Sequence, residues 1–191
     1  MIRYFSPVLI CLGYIGILFS QNTYPIILIH GFLGWGRDEM SGYYYWGGKT
    51  DLESELKSAG YEVYTVSVGP ISPNWDRAIE AFYQIKGGQV DYGNEKAEKF
   101  NIIQRPAGKN YPGFYPQWDA EHPVHLIGHS QGGSTAKMLE VLLQGSITGE
   151  DSPLLANVYT GWISSVTTIS TPHNGTTLVP LMLDVFPFAL N

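Results

Sequence analysis

The sequence contains a single cysteine, Cys11, which lies within the first twenty residues. A framework of disulfide bonds is therefore excluded. Basic residues are also scarce, because 11 Lys and Arg stand against 17 Asp and Glu and the formal net charge is −6. This excess of acid argues against nucleic acid or an anionic membrane surface as a partner. Internal repeats, heptads and low-complexity tracts are absent as well, so neither a solenoid nor a coiled coil is expected.

The first twenty residues have the pattern of an export signal. Arg3 gives a positive start, residues 8–19 are apolar, and the sequence turns polar from Ser20 onwards. We predict a secretory signal peptide over residues 1–20 and a secreted, extracellular protein. The apolar core is shorter than the roughly 20 residues of a membrane span, so no stable transmembrane anchor is expected, although a retained anchor is the alternative. Residues 21–191 then suffice for a single globular domain, with 44% hydrophobic and 14% aromatic residues in the chain.

Predicted strands alternate with predicted helices along the rest of the chain. The strands are expected at residues 25–29, 61–68, 124–127 and 162–169, and the helices at 51–59, 75–85 and 132–143. Thr50 and Glu53 have the spacing of a capping box at the start of the first helix. Residues 89–121 show no sustained period and are interpreted as a long surface excursion. This order predicts an α/β fold with a mostly parallel, doubly wound sheet covered on both faces.

A serine between two glycines follows the third predicted strand, in Gly128-His129-Ser130-Gln131-Gly132. A strand-to-helix turn of this kind is how α/β-hydrolases expose a nucleophilic hydroxyl. The pattern alone is weak in a chain with 22 glycines, and ordinary loop glycines around a surface hydroxyl are the alternative. The backbone N–H of Gln131 would give one donor to an oxyanion, and that of Phe32, after the first strand, would give the second.

Longer motifs surround these residues and make the pattern specific. They are PIILIHGF at 25–32, WG at 35–36, YWGG at 45–48, VGP at 68–70, NWDRA at 74–78, VDYG at 90–93, YPG at 111–113, HSQGG at 129–133 and SVTTISTPHNGTT at 165–177. Over roughly residues 25–179 the chain resembles the staphylococcal and thermoalkalophilic bacterial lipases. The resemblance implies an α/β-hydrolase fold and hydrolysis of triacylglycerols and other carboxylic esters at a lipid–water interface. It also implies Ser130 as the nucleophile and the N–H groups of Phe32 and Gln131 as the oxyanion hole.

The chain departs from these lipases at the site where they hold a zinc ion. Only Asp76 matches a ligand, while the positions of the two histidine ligands carry Lys96 and Ile102. An ammonium and an alkyl group cannot replace imidazole, so we predict no zinc and no other cofactor, and interpret Asp76 as a helix-start carboxylate. His122 and His125 have a spacing that metal pairs also show, but Pro123 lies between them ahead of a strand.

The other departure concerns the catalytic acid and base. In this fold both follow the serine on later strands, and only one more strand is predicted. His173 is the one histidine after Ser130, and its neighbours match a family segment whose histidine is not the base. The carboxylates after the turn lie on a helix or in a loop: Glu140, Glu150 and Asp151. The resemblance implies that the acid, the base and the calcium ligands fall beyond Asn191, with the sheet truncated before its later strands.

The sequence therefore predicts a secreted ester hydrolase of triacylglycerol lipase type, present as its N-terminal part. Two alternatives stay open. One is a catalytically incomplete secreted protein that binds lipid or ester in the crevice expected at the carboxyl ends of the parallel strands, where His30 and Ser130 would meet. The other is a different acyl-transferring hydrolase, such as a phospholipase or an acyltransferase, which a serine turn does not distinguish from a lipase.

Overall fold

Parallel strands and helices alternate in the structure, a computed structural model that describes residues 23–177 and residue 180. The elements are, in chain order, β1 (Ile26–Ile29), α1 (Leu52–Ser58), β2 (Val63–Val66), α2 (Asn74–Lys86), β3 (Gly88–Gln89), α3 (Asn94–Phe100), β4 (Asn110–Tyr111), β5 (Val124–His129), α4 (Gln131–Gln144), α5 (Pro153–Ala156) and β6 (Ile163–Ile169). Each long predicted element is present, which confirms an α/β fold. The predicted leader at residues 1–20 lies outside the described residues.

The main sheet has the strand order β2-β1-β5-β6, and all of its neighbouring strands are parallel. The chain moves from β1 to β2 on one side, then returns past β1 to β5 and β6 on the other. Because such crossovers are right-handed, this reversal puts α1 on one face of the sheet and α2 and α4 on the other. In sheets of this kind the ligand site lies at the carboxyl ends of the strands where the order reverses, which is here between β1 and β5.

The core lies between the sheet and the pair of helices α2 and α4. On α4 the residues Ala136, Leu139, Leu142 and Leu143 are all buried, as their helical spacing requires. They meet buried strand residues that include Ile27, Ile29 and Leu126. Burial of each leucine or isoleucine side chain in this core stabilises the folded state by about 1.5–3 kcal/mol. No helix within the described part of the chain has the length and apolar character needed to cross a bilayer.

The opposite face of the sheet is only partly covered, which corrects the prediction of a sheet buried on both faces. The prediction holds for β1, where Ile27, Leu28 and Ile29 are buried. It fails at β5 and β6, where Ile127 is half-buried and Thr167 is exposed. The physical reason is that the β1 to β2 crossover is the one connection of the main sheet that passes over this face within residues 23–177.

The cap of α1 also differs from the prediction. The side chain of Asp51, and not that of Thr50, accepts the Ser54 N–H at 3.1 Å. Glu53 does not reach back to the helix start, because its carboxylate pairs with Lys57 at 2.6 Å. The predicted capping box is therefore wrong, and Glu53 instead forms an i,i+4 ion pair on the same helix.

Residues 89–121 are more ordered than a surface excursion. They contain α3 and β4, and β4 pairs antiparallel with β3. Five of their side chains are buried: Val90, Asp91, Tyr92, Tyr115 and Trp118. The burial was not predicted because these residues follow neither helical nor strand spacing, so the segment has no hydrophobic period.

Candidate active site

Ser130 forms the turn between β5 and α4 with φ 54° and ψ −125°. Positive φ is uncommon for a residue with a side chain and requires support from its surroundings. Here the Ser130 N–H donates to the Ile169 carbonyl at 2.8 Å, and the Ser130 carbonyl accepts the Thr171 hydroxyl at 2.9 Å. The residue is partly exposed, and no side chain of residues 23–177 hydrogen-bonds its hydroxyl.

The end of β1 lies directly against this turn. A methyl group on Gly31 would come within 2.8 Å of the Ser130 Cβ and within 3.0 Å of the His129 carbonyl oxygen. A methyl group on Gly132 would collide with the carbonyls of Ile29 and His30. Glycine is needed at both positions because the two backbones approach so closely. The structure thus brings together the segment after β1 and the turn after β5, which the sequence predicted to share one site.

Two backbone donors in these segments have no partner in the part of the chain that the structure describes. Neither the N–H of Phe32 nor that of Gln131 donates to another group within residues 23–177. Gln131 is the first residue of α4, so its N–H is one of the free donors at a helix start, where the helix dipole is positive. Unpaired donors beside a hydroxyl suit an anion that forms during a reaction.

A tyrosine that the sequence reasoning did not single out joins the two segments. The Tyr45 hydroxyl accepts the Gly31 N–H at 2.9 Å and lies 2.5 Å from His129 Nδ1. Since the hydroxyl accepts from Gly31, its own proton is free to be donated to His129. Trp35 and Trp46 pack against the Tyr45 ring at 5.5 and 5.7 Å between centroids. The only signal in the sequence was the YWGG motif at 45–48.

Buried His30 and Arg77 support the end of β1. His30 Nδ1 donates to the Gly31 carbonyl at 2.9 Å and Nε2 accepts the Val68 N–H at 3.2 Å, while burial lowers the pKa of the ring. The Arg77 guanidinium donates to the His30 carbonyl, to the Gly69 carbonyl at 2.6 Å, and to a side chain on α4. Burial lowers the pKa of Arg77 to about 10, so it is charged at neutral pH.

The remaining histidines have partners away from the serine hydroxyl. His173 is exposed in the turn after β6, and its Nε2 lies 3.0 Å from the Thr168 hydroxyl. It therefore bonds back to the strand that precedes it. His122 Nδ1 lies 2.9 Å from Asp119, and His125 Nδ1 lies 2.7 Å from the Ser165 hydroxyl.

The carboxylates considered from the sequence also have partners elsewhere. Asp76 lies in the first turn of α2, as predicted, and contacts the Lys96 ammonium. The other pairs are Glu140 with Lys137 at 2.9 Å, Asp151 with Arg105 at 2.8 Å, and Glu150 with the N–H groups of Asn94 and Glu95. Within the described part of the chain, no cluster of three or more His, Cys, Asp or Glu side chains is arranged to hold a metal ion.

Known proteins are similar to this chain in sequence and in structure. The chain is 41% identical over 167 residues to Lipase 2 of Staphylococcus aureus, which covers 81% of this chain and 24% of that protein. Its structure is similar to EstA from Clostridium botulinum, with a TM-score of 0.79 and 50% identity over 84% of this chain and 39% of that one. It is also similar to Staphylococcus hyicus lipase, with a TM-score of 0.77 and 36% identity over 87% and 48% of the two chains.

The chain spans about a quarter of the length of the curated relatives that it matches. Residues 22–183 match the family described as Lipase-like, C-terminal domain. By this match and by its identity to the staphylococcal lipases, the chain belongs to the bacterial lipase family.

Proposed function

We propose that this chain carries the nucleophile and the oxyanion hole of a secreted serine ester hydrolase of triacylglycerol lipase type, on an α/β-hydrolase fold. Its membership of the lipase family supports the reaction class. The observation that carries the site is the Ser130 turn, where a partly exposed hydroxyl stands at positive φ beside the end of β1.

In this proposal the Ser130 oxygen attacks the ester carbonyl carbon. The carbonyl oxygen becomes an oxyanion, which the N–H groups of Phe32 and Gln131 stabilise together with the positive end of α4. A base must remove the serine proton, because a neutral hydroxyl is a weak nucleophile. No residue between 23 and 177 is in hydrogen-bond contact with that hydroxyl, so we assign the acid and the base to other parts of the complete protein.

Replacement of the nucleophile tests the proposal. In the complete gene product, Ser130→Ala should lower the kcat for hydrolysis of tributyrin by at least about 10³-fold, because no other group can form the acyl-enzyme. Ser134→Ala is the matched control, since Ser134 lies one helical turn later on α4. Undiminished turnover in Ser130→Ala would refute the assignment.

A second function is favoured by the unpartnered serine hydroxyl. A chain without a base would bind lipid or ester in the same crevice and not cleave it. Labelling with a fluorophosphonate probe separates the two functions. Rapid labelling of Ser130 shows that a base is present, whereas saturable binding of fatty acid without labelling supports the binding protein.

Export remains a proposal of its own, resting on the sequence of residues 1–20. N-terminal sequencing of the protein recovered from culture medium should give a chain that begins near residue 21. Recovery of an uncleaved chain in the membrane fraction would instead support a retained anchor.

A further inference from the structure

Polar contacts hold α3 on the protein body. None of its residues is buried, so the hydrophobic burial that stabilises most protein helices is missing here. One attachment is at its start, where the N–H groups of Asn94 and Glu95 donate to the Glu150 carboxylate at 2.8 and 3.2 Å. A helix of seven residues without an apolar face depends strongly on such individual contacts.

The other attachment of α3 is an ion pair with α2. The Lys96 ammonium contacts the Asp76 carboxylate, and both side chains are only 18% exposed. The Tyr92 ring lies on the same ammonium, at 5.8 Å from its centroid. Burial lowers the pKa of Lys96, so the charged form needs the adjacent carboxylate. Removing one member of such a pair leaves the other partly buried and unpaired.

The same place is where the lipases that this chain resembles hold zinc. The residues present do not fit the metal. Asp76 offers oxygen atoms, but Lys96 has no lone pair while it is charged, and Ile102 has an alkyl side chain that is 38% exposed. A structural zinc site takes four ligands from Cys, His, Asp and Glu, and no group of even three such side chains is found among the described residues.

We propose that the Lys96 ammonium takes the place of the metal cation and fastens α3 to the start of α2 through a metal-independent ion pair with Asp76. The lysine side chain of the polypeptide thus supplies the positive charge that a bound metal ion would supply. The stability of residues 89–121 then depends on the side chain at position 96 and not on zinc. This inference does not rest on Ser130 or on the proposed reaction.

The first test is thermal unfolding of the full wild-type chain, followed by circular dichroism. We expect the midpoint to be the same within about 1 °C, which is under about 0.5 kcal/mol, with EDTA, with 1,10-phenanthroline and with added zinc chloride. Metal analysis should find far less than one equivalent of zinc in the dialysed protein. A lower midpoint in chelator, or one tightly held zinc per chain, would overturn the proposal.

The second test removes the charges. Lys96→Met should lower the midpoint by about 2–8 °C and speed proteolysis within residues 94–103. Lys99→Met is the matched control, because Lys99 is an exposed lysine on the same helix, and it should change the midpoint by about 1 °C or less. The double variant Asp76→Asn with Lys96→Met should lose less than the sum of the two single changes.

Equal effects of Lys96→Met and Lys99→Met, or strictly additive losses in the double variant, would contradict the ion-pair tether. If Lys96→Met does not fold, Lys96→Arg keeps the charge and should retain most of the stability. The chelator experiment on the wild-type chain decides independently of every variant.

Discussion

At the scale of single residues, Ser130 combines an unfavourable backbone with strong anchoring. A side chain at positive φ in this region costs of the order of 1–3 kcal/mol. The costs are offset by bonds on both sides of the residue, from its N–H to β6 and from Thr171 to its carbonyl. The hydroxyl itself makes no hydrogen bond within residues 23–177, so it adds nothing to this support of the turn.

The Tyr45 hydroxyl acts through Gly31, so we regard Tyr45 as a positioning residue. In Tyr45→Phe the Gly31 N–H and His129 Nδ1 would lose their shared partner, and the peptide that presents the Phe32 N–H would shift. We expect kcat of the complete enzyme to fall by about 10- to 100-fold with little change in KM. Steady-state kinetics on a soluble short-chain ester measure both.

Tyr43→Phe is the control for that experiment, because Tyr43 is 51% exposed and lies two residues away. It should leave kcat and KM as in the wild type. An equal loss of kcat in both variants, or a loss seen only in KM, would contradict a positioning role for Tyr45.

At the scale of elements, hydrophobic spacing predicted the helices and strands well. The last helix is the clearest case, because Ala136, Leu139, Leu142 and Leu143 are spaced as one helical face and are all buried. The ends of the helices were less predictable, since several neighbouring side chains can accept from the free N–H groups at a helix start and only one of them becomes the cap. At α1 the Asp51 carboxylate caps the helix in place of Thr50, because Arg37, fourteen residues earlier, binds that carboxylate and holds it in place.

That cap gives a prediction about pH. The hydrogen bond from Arg37 lowers the pKa of Asp51 in the folded protein from 3.8 to about 2. The stabilising contribution is therefore complete above about pH 4 and is lost as the pH falls towards 2. In denaturant titrations, Asp51→Asn should lack this loss, because an amide still caps the helix but carries no charge.

Two related variants test the cause. Asp51→Ala should cost about 0.5–2 kcal/mol at neutral pH, since the cap itself is removed. Arg37→Met should remove most of the pH-dependent part, because Arg37 is the largest cause of the lowered pKa of Asp51, while the hydrogen bonds from Ser54 keep the cap. A wild-type protein and an Asp51→Asn variant with parallel pH profiles between 4 and 2 would count against this account.

At the scale of the whole molecule, the sequence predicted which strand ends meet at the site but not how the surrounding residues pack. Strand ends at His30 and Ser130 were expected to meet, because parallel strands end at one edge of a sheet. The burial of side chains in residues 89–121 was not predicted, since Tyr92 and Trp118 are too far apart in the sequence to form a hydrophobic pattern. Contacts between distant segments, such as Lys96 with Asp76, leave no periodic signal in a single sequence.

Arg77 shows how such distant contacts hold the molecule together. It lies on α2, is fully buried, and reaches the end of β1, the segment after β2, and Thr135 on α4. One guanidinium thus satisfies acceptors in three separate parts of the fold. A planar group with five donors can do this, whereas the single ammonium of lysine cannot.

Loss of Arg77 should therefore weaken the entire domain. We expect Arg77→Met to lower the free energy of unfolding by about 2–5 kcal/mol, because the buried His30 carbonyl loses the guanidinium donor and the Gly69 carbonyl keeps only the long bond from the Ser72 N–H at 3.4 Å. Arg77→Lys should recover only part of this. Lys137→Met is the control, since this exposed lysine on α4 pairs only with Glu140, and its loss should cost under about 0.5 kcal/mol. Urea unfolding gives all three values, and an Arg77→Met protein as stable as Lys137→Met would show that the buried guanidinium does not hold these elements together.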